Sequence, residues 1–300
     1  MTEAVARPRP VALSPQDAEA LAHKNGLRVL GRRPPLPAYL ADIWRRRSFL
    51  WTLSAGQSQA RNQQHQLGQL WKILDPLLLI GSYYLIFGVI IGTTNGTGNK
   101  IGFLSVGVII FGVISACVTS GSTSIVNNTN LVRALHFPRA ILPLSVVLTQ
   151  FIAHIPAFLL LLGVMVLTGE HPTLHWLLLP VALGLQAMFL AGTAMIGARL
   201  VNLSRDLGNL IPVAIRVLRY LSGVFFPVAA AAERIGGIGG SAIEYQPFAL
   251  AMTTVREALM SSPGYEFQPV AWIVFAAWAV GTLIVGTVFF WWDEAKYGRG

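Results

Sequence analysis

Two arginines, Arg216 and Arg219, lie within an otherwise apolar stretch and have the clearest capacity for chemistry. Because they are three residues apart, a helix would place them on one face. A guanidinium group matches phosphate oxygens in shape and charge, so the pair indicates a phosphate-binding site. An arginine within a membrane costs about 2.5–3.5 kcal/mol and normally faces the bundle interior or water. The alternatives are side chains that reach the headgroups or that pair with Asp206 or a neighbouring helix.

Other side chains with catalytic or metal-binding capacity are isolated. His136 and His154 have no partner at metal-ligand spacing, so no metal site is predicted. Cys117, the single cysteine, lies in an apolar run and is expected to be a small buried residue. Arg205 and Asp206 are expected to form a structural pair, because a lone carboxylate has no partner for general acid–base catalysis. A GxxxxGKS or GxxxxGKT motif does not occur, so we predict no nucleotide site, cofactor or enzymatic activity in this chain.

The composition indicates an integral membrane protein. Of the 300 residues, 54% are hydrophobic and only 12% are charged, whereas soluble domains carry about 25% charged residues. Apolar runs of about 20 residues are long enough to cross a bilayer. The sequence therefore predicts an all-α protein with a transmembrane domain over 73–292. Its six predicted transmembrane helices are 73–91, 101–126, 140–168, 174–201, 209–232 and 270–292.

The distribution of basic residues predicts the orientation. Residues 1–72 contain eleven of the 22 Lys and Arg. With the N-terminus inside, 17 of the 22 fall on the cytoplasmic side and 3 fall outside, as the positive-inside rule requires. The same pattern argues against nucleic acid as a partner, and the long polar N-terminal region argues against a secretory signal. We expect a multi-pass protein of the inner (plasma) membrane with both termini in the cytoplasm.

The flanking segments and the outer loop have their own patterns. Residues 1–38 predict a cytoplasmic tail, and 293–300 a short cytoplasmic C-terminus. Tryptophans and arginines are interleaved in 39–72, which predicts an amphipathic segment in the headgroup region; the alternative is a soluble helix that packs on a partner. The outer loop 233–269 is predicted to form short helices that re-enter the outer leaflet or cover the outer opening; the alternative is a surface lid. Its apolar residues at helical spacing are Phe248, Met252, Val255 and Leu259.

A patterned connector, residues 127–139, joins the second and third predicted transmembrane helices. It begins with three asparagines and a threonine, which favour helix N-termini. Leu131 and Leu135 are four residues apart on one face of a short helix, which Pro138 ends. A basic amphipathic helix held between two membrane-spanning helices can pass motion to a soluble partner. We therefore predict that the connector is a coupling helix.

Several of these segments resemble one family. LGQLWKILDP, residues 67–76, resembles the LG-x-LW-x-x-x-x-P entry to the first transmembrane helix of type-2 ABC exporter permeases. Residues 130–143, which contain NL and FPRAILP, resemble their coupling segment. The RD pair at 205–206 resembles their pair before the fifth helix, and the QP pair at 246–247 stands where they usually have Asn-Pro. The polysaccharide-export, Wzm-like branch is the most similar, and the basic N-terminus resembles that of galactan exporters.

The resemblance implies the membrane subunit of an ATP-driven exporter. Its substrate would be a lipid-linked polysaccharide on a polyprenyl diphosphate, moved from the cytoplasm to the outer face of the inner membrane. The branch exports O-antigen, teichoic acid and galactan, and the likeness of the N-terminus implies galactan. A separate ABC ATPase would bind ATP and Mg²⁺, and two copies of the chain would form a homodimer around a shared channel. The implied contacts with the ATPase are Asn130, Leu131, Arg133, Leu135, Phe137, Pro138 and Arg139.

Two further sites follow from the resemblance. Arg205, Asp206, Arg216 and Arg219 would form a gate that binds the lipid diphosphate. Aromatic residues of the first and fifth helices would line the channel, since sugars stack on aromatic rings; the alternative is that these rings face lipid or the core. They are Tyr83, Tyr84, Phe87, Tyr220, Phe225 and Phe226.

Two other functions are compatible with a six-helix membrane protein. One is an exporter of drugs or small lipids with the same fold. The other is an ion channel or a membrane enzyme, which would need clustered acidic or histidine residues within the spans. Carboxylates near the predicted spans lie only at their ends, at Asp75, Asp206 and Asp293, which argues against this second alternative.

Overall fold

A computed structural model describes the chain at residues 14, 17, 21, 24, 34–63, 70–92, 98–135, 137–262, 264–294 and 297, without the side chains of 61–63. Within these residues every regular element is a helix, as the sequence predicts. Five helical segments are long and apolar enough to cross a membrane. They are Trp71–Ile90, Lys100–Ser122, Ile141–Leu167, Leu174–Leu203 and Pro269–Trp292.

The first part of the chain forms three helices. Helix α1 is Leu36–Arg45, α2 is Arg47–Gln63 and α3 is Trp71–Tyr83. Helix α3 continues as a π-helix over Tyr84–Ile90, which the sequence did not predict. Such π-turns occur frequently at functional sites.

The centre of the bundle is α4, Lys100–Ser122, in which 67% of the residues in the most apolar stretch are buried. It contacts the helices α3, α7 (Ile141–Leu167) and α8 (Leu179–Leu203). A helix buried on nearly all sides is apolar all round, which explains the unbroken apolar sequence of α4. Two short helices, α5 (Ser124–Asn127) and α6 (Thr129–Ala134), connect α4 to α7.

Helices α8 and α13, which is Pro269–Trp292, cross in backbone contact. A Cβ atom added to Gly192 would overlap the Thr282 carbonyl, and one added to Gly286 would overlap the Gly192 carbonyl. Close approach through small residues is typical of helix pairs in membranes.

The prediction of one continuous helix over 209–232 is wrong. The chain forms α9, Leu207–Leu221, then a turn over 222–227, then α10, Val228–Ile235. Gly223 has a φ of 72°, and Pro227 has the extended conformation that precedes a new helix. Fifteen residues of α9 span about 22 Å, less than the hydrocarbon thickness of about 30 Å. The count of six membrane-spanning helices therefore stays a prediction.

The segment after α10 contains the two further helices α11 (Gly237–Glu244) and α12 (Pro247–Leu259). We call α10–α12 the cap. The predicted apolar face of α12 is turned inward, since Met252, Val255 and Leu259 are buried and the Phe248 ring packs 5.4 Å from the Phe189 ring.

The bundle has two opposite ends. At the cap end, the start of α4, the end of α7 and the end of α12 meet: Asn99 donates to Thr168 Oγ1 (2.7 Å), and the Ser261 N–H donates to Glu170 Oε2 (2.8 Å). At the connector end, α5 and α6 lie beside the end of α8 and the residues after α13.

Candidate functional site

The connector contains a shorter helix than predicted. Helix α6 ends at Ala134, and Leu135 already has the extended dihedrals φ −124° and ψ 142°. The coupling helix predicted over 127–139 is therefore wrong in its length. A proline disfavours the α conformation of the residue before it, which works against continuing α6 as far as Pro138.

The prediction of an asparagine at the helix N-cap is right in position, but the capping hydrogen bond does not form. Asn128 occupies the N-cap position of α6, but its side chain makes no capping hydrogen bond there. Its Nδ2 instead donates to the Ser124 carbonyl (2.8 Å), and Asn127 Nδ2 donates to Thr123 Oγ1 (3.2 Å). The amide groups therefore satisfy acceptors in and before α5, which a short polar side chain can do as readily as capping.

The predicted docking residues of the connector separate into buried and exposed sets. Phe137 packs edge-to-face on Phe49, with ring centroids 5.6 Å apart, and Pro138 is buried. Leu131 packs on the apolar core of this end, whereas the Leu135 side chain is 48% exposed. The exposed surface, which we call the connector edge, consists of Asn130, Arg133, Ala134 and Leu135.

Arg139 is held by the end of the chain. Its backbone N–H donates to Glu294 Oε1 (2.8 Å), and its guanidinium lies 4.0 Å from the same oxygen and donates to the Glu294 carbonyl. Tyr39 donates to Glu294 Oε2 (2.8 Å), and the N–H of Ala140 donates to the Tyr39 hydroxyl (3.2 Å). Burial raises the pKa of Glu294, which the hydrogen bonds from Arg139 and Tyr39 and the Arg139 charge partly offset. We call this group the Glu294 clamp.

A second buried ion pair lies beside the Glu294 clamp. Arg199 Nη2 is 2.8 Å from Asp293 Oδ2, with 14% and 8% of the two side chains exposed. The Arg199 guanidinium also lies 3.8 Å from the Phe289 ring centroid and donates to the Phe289 carbonyl. Sequence reasoning treated Arg199 only as a loop charge, because its partner lies far away in the chain.

The predicted gate residues Arg205 and Asp206 lie at the turn between α8 and α9. Both side chains are exposed, and the described residues contain no ion pair between them. The expected structural pair is therefore not formed in this conformation.

Arg216 and Arg219 point in different directions although they lie on one helix. Arg216 is exposed. Arg219 is half-buried: its Nη1 lies 3.4 Å from the Tyr83 hydroxyl, and its guanidinium lies 5.4 Å from the Phe111 ring centroid. The π-face of Phe111 and the Tyr83 hydroxyl both stabilise this cation. The structure thus brings Arg219, but not Arg216, to the predicted aromatic residues.

Four of the six predicted aromatic residues meet between the π-helix and the end of α9. Phe225 is the centre of the cluster, with ring centroids 4.3 Å from Phe87, 4.9 Å from Tyr83 and 5.5 Å from Tyr220. Tyr84 and Phe226 are half-buried against the same core and have no ring contact with the cluster among the described residues. The Tyr220 side chain is 61% exposed, so the cluster has one accessible ring.

The isolated residues are placed as follows. Cys117 is fully buried in the core. His154 Nδ1 lies 2.8 Å from the Gln150 carbonyl within its own helix, and His136 lies outside the described residues. Across the described ranges, no group of three His, Cys, Asp or Glu side chains is arranged to hold a metal ion.

The cap end contains a charged residue that sequence reasoning missed. Arg256 of α12 is only 1% exposed, although the charge pattern predicted an outer-loop cation. Its guanidinium stacks on Phe103, 3.6 Å from the ring centroid. The sequence contained a signal for this burial, because Arg256 lies between Val255 and Leu259, two residues of the apolar face of α12.

The sequence of residues 48–235 matches the family model described as "ABC-2 type transporter". The chain belongs to this family. Membership confirms the resemblance to type-2 ABC exporter permeases, and with the five long apolar helices it establishes a multi-pass, all-α membrane protein of a transporter family.

Similar proteins in the same family are named for polysaccharide export. The O-antigen export system permease protein RfbA of Klebsiella pneumoniae is 27% identical over 220 residues, covering 72% of this chain and 82% of the relative. RfbA of Myxococcus xanthus is 27% identical over 188 residues, covering 63% and 72%.

Proposed function

We propose that this chain is the membrane subunit of an ATP-driven exporter that moves a lipid-linked polysaccharide, of the galactan class, to the outer face of the inner membrane. The observation that carries the proposal is the connector: an exposed leucine flanked by Asn130 and Arg133, on a segment that the Glu294 clamp holds from behind. This exposed leucine lies beside amide and basic side chains and outside the five membrane-spanning segments, and such a mixed apolar and polar surface is typical of protein interfaces.

The partner in this proposal is a separate ABC ATPase that binds ATP and Mg²⁺. The chain has no phosphate-binding GxxxxGKS or GxxxxGKT loop of its own, so the energy for export would come from another polypeptide. The charge distribution supports placing the connector and both termini in the cytoplasm, where such a partner occurs.

Mechanical coupling would follow the contacts of the connector. Helices α5 and α6 continue α4 and lead into α7, while Glu294 links Arg139 to the end of α13. A displacement of the connector edge would therefore act on three long helices at once. Rigid short elements held by buried hydrogen bonds transmit such a displacement better than a free loop.

The polysaccharide substrate is supported by the relatives and by the aromatic cluster. Both compared relatives are named O-antigen export permeases, and the cluster around Phe225 has one exposed ring, Tyr220, on which a sugar can stack. Arg216 is exposed and Arg219 is half-buried on α9, so this helix offers guanidinium groups to a lipid diphosphate.

A homodimer is part of the proposal because one bundle is too small for a wide channel. In helix α3 and its π-helical extension, only 11% of the residues in the most apolar stretch are buried. The exposed face of this segment is therefore available to a second copy. Exposed residues of this face include Leu77, Leu78 and Leu85.

Depletion of the protein in its host, followed by analysis of lipid-linked glycans, tests the export function. We expect glycan on polyprenyl diphosphate to accumulate inside the cell. Unchanged pools would refute polysaccharide export, and accumulation of a drug or a small lipid instead would favour the other kind of exporter.

Complementation with Leu135→Glu tests the role of the connector edge. The variant should reach the membrane at the wild-type level and retain its ATPase subunit's basal activity, but it should not restore export. Ile238→Glu is the matched control, because it places the same charge on an apolar residue that is 90% exposed in the cap. Loss of membrane insertion in Leu135→Glu would show that the connector is structural only.

A further inference from the structure

The cap covers a cavity of about 320 Å³ whose wall contains both apolar and charged residues. It lies between α10, the end of α11, α12 and the segment that leads to α13. Three carboxylates, one guanidinium and two tyrosines contribute to its wall: Glu233, Glu244, Glu257, Arg256, Tyr245 and Tyr265. Pockets for small ligands are typically about 300–1,000 Å³, so this cavity suits a small molecule or a short segment of a polymer.

The Arg256 side chain at this cavity has an unused hydrogen-bond donor. Its Nη2 makes two long contacts, to the carbonyls of Phe103 (3.3 Å) and Val224 (3.5 Å). Its Nε is buried without a hydrogen-bond partner, and the described part of the chain gives Arg256 no ion pair. Burial lowers its pKa to about 10, so the group is still charged at neutral pH. Because the Arg256 side chain is only 1% exposed, it contributes positive charge to the cavity wall rather than an accessible hydrogen-bond donor.

The carboxylates provide acceptors of different exposure. Glu257 is buried, and both of its hydrogen bonds are accepted by Oε2, from the Gln268 N–H (3.2 Å) and from Trp272 Nε1 (2.8 Å). This leaves Oε1 as an acceptor. Glu244 is half-buried and Glu233 is exposed, so the acceptors extend from the interior to the rim.

The charges of the wall select the chemical class of the ligand. Three carboxylates outnumber the single guanidinium, so a diphosphate or another polyanion would be repelled. The carboxylates do not form a metal-binding group among the residues that the structure describes. Carboxylates bind hydroxyl groups through charge-assisted hydrogen bonds, and tyrosine rings cover apolar C–H faces. Together these features fit a neutral saccharide.

We propose that the cap cavity is a binding site for neutral sugar residues. The inference rests on the proposed export function, in which the cap end faces the outside. The site would bind the sugars that emerge from the membrane. This binding would keep the exported polysaccharide from moving back into the membrane. Its ligand is the uncharged glycan part of the substrate, whereas α9 is the element proposed for the lipid diphosphate.

Saturation-transfer NMR on the full chain in lipid nanodiscs tests this site. The neutral probes are methyl β-galactoside and lactose, and the anionic probe is galactose 1-phosphate. We expect transfer to both neutral sugars and weaker transfer to the phosphate. Ala230→Trp, which fills the cavity from an exposed position of its wall, should abolish the transfer. Glu244→Gln should weaken binding about tenfold, since it removes a charge-assisted hydrogen bond.

Two variants serve as matched controls. Ile235→Trp adds the same ring to an exposed position of α10 outside the cavity wall, and Glu266→Gln removes an exposed carboxylate outside it. Both should bind the sugars as the wild type does. No transfer to the wild type, equal transfer to Ala230→Trp, or a preference for galactose 1-phosphate would overturn the proposal.

The outcomes for the cavity and for export are independent. Accumulated lipid-linked glycan on depletion, together with no sugar binding, would refute the cavity and leave the export function standing. Sugar binding that Ala230→Trp abolishes, together with unchanged glycan pools, would support a saccharide site and refute export.

Discussion

The two ends of the bundle treat buried charge in opposite ways. At the connector end Arg199 and Asp293 form a close pair, and Arg139 contacts Glu294. At the cap end Arg256 is buried without an ion pair in the described part of the chain. The connector end thus contains paired buried charges, whereas the buried charge of the cap end lacks an ion-pair partner among the described residues.

The carboxylates of the two ends differ in the same way. Glu257 and Glu170 of the cap end are buried and accept hydrogen bonds from neutral groups, such as the Trp272 indole and the Ser261 N–H. Glu294 of the connector end accepts from the backbone of Arg139, whose guanidinium is also close. Buried groups that lack counter-ions are common at functional sites, which is why we assign binding to one end and transmission to the other.

Replacement of Asp293 by alanine should have the largest effect on stability. It leaves the buried Arg199 guanidinium without its carboxylate, and breaking such a pair costs about 3 kcal/mol. Denaturant titration of the purified protein in mixed micelles measures the loss. A change below about 1 kcal/mol would show that the pair behaves like a surface ion pair and would remove the contrast between the ends.

Replacement of Arg256 by methionine should cost much less, about 1 kcal/mol or less in either direction. The loss of two long hydrogen bonds is offset by removal of an unpaired buried charge. The same titration measures it, with Arg199→Met as the matched variant at the connector end. If Arg256→Met were as destabilising as Arg199→Met, the arginine of the cap end would be as well compensated as that of the connector end.

The pH dependence of stability should change in Glu257→Gln. Burial raises the pKa of Glu257, partly offset by its two N–H donors. A carboxyl whose folded pKa is raised stabilises the fold in its protonated form, and this contribution is lost as the pH rises from the ordinary value of about 4.3 through the folded pKa. Stability of the wild type should therefore fall over this range relative to the glutamine variant. Parallel curves for the two proteins, measured by thermal unfolding from pH 4 to 8, would contradict this.

Replacement of Asp42 by alanine should have the smallest effect. Its pair with Arg46 has an N–O distance of 3.3 Å, but the side chains are 42% and 44% exposed. Exposed pairs of this spacing on a helix contribute about 0.3–0.5 kcal/mol. The titration in micelles should barely separate this variant from the wild type, and a loss near that of Asp293→Ala would show that exposure does not decide the value of these pairs.

The sequence predicted the elements that depend on local pattern. Four of the predicted transmembrane helices begin and end within a few residues of the observed ones, as 141–167 against the predicted 140–168 illustrates. An apolar run of this length has few alternatives in a membrane. The break at Gly223 and Pro227 was missed because an apolar run hides a turn whose glycine and proline are each tolerated in membrane helices.

Features that depend on distant partners could not be predicted. The Glu294 clamp joins residues 39, 139 and 294, and Arg256 stacks on Phe103, more than a hundred residues away. The periodicity of the local sequence carries no information about such contacts. The missing capping hydrogen bond at Asn128 has a different reason. A short amide side chain can also bond to a neighbouring carbonyl, here that of Ser124, and the local sequence does not decide between the two.

The crossing of α8 and α13 limits how the bundle can move. Gly192 and Gly286 leave no room between the two backbones, so the helices can be expected to turn as one lever during transport. The Arg199–Asp293 ion pair also joins the two helices at the connector end, which further restricts their movement relative to each other. The hinges then lie elsewhere, and the broken segment between α9 and α10, with its glycine at a positive φ, is where the chain can bend.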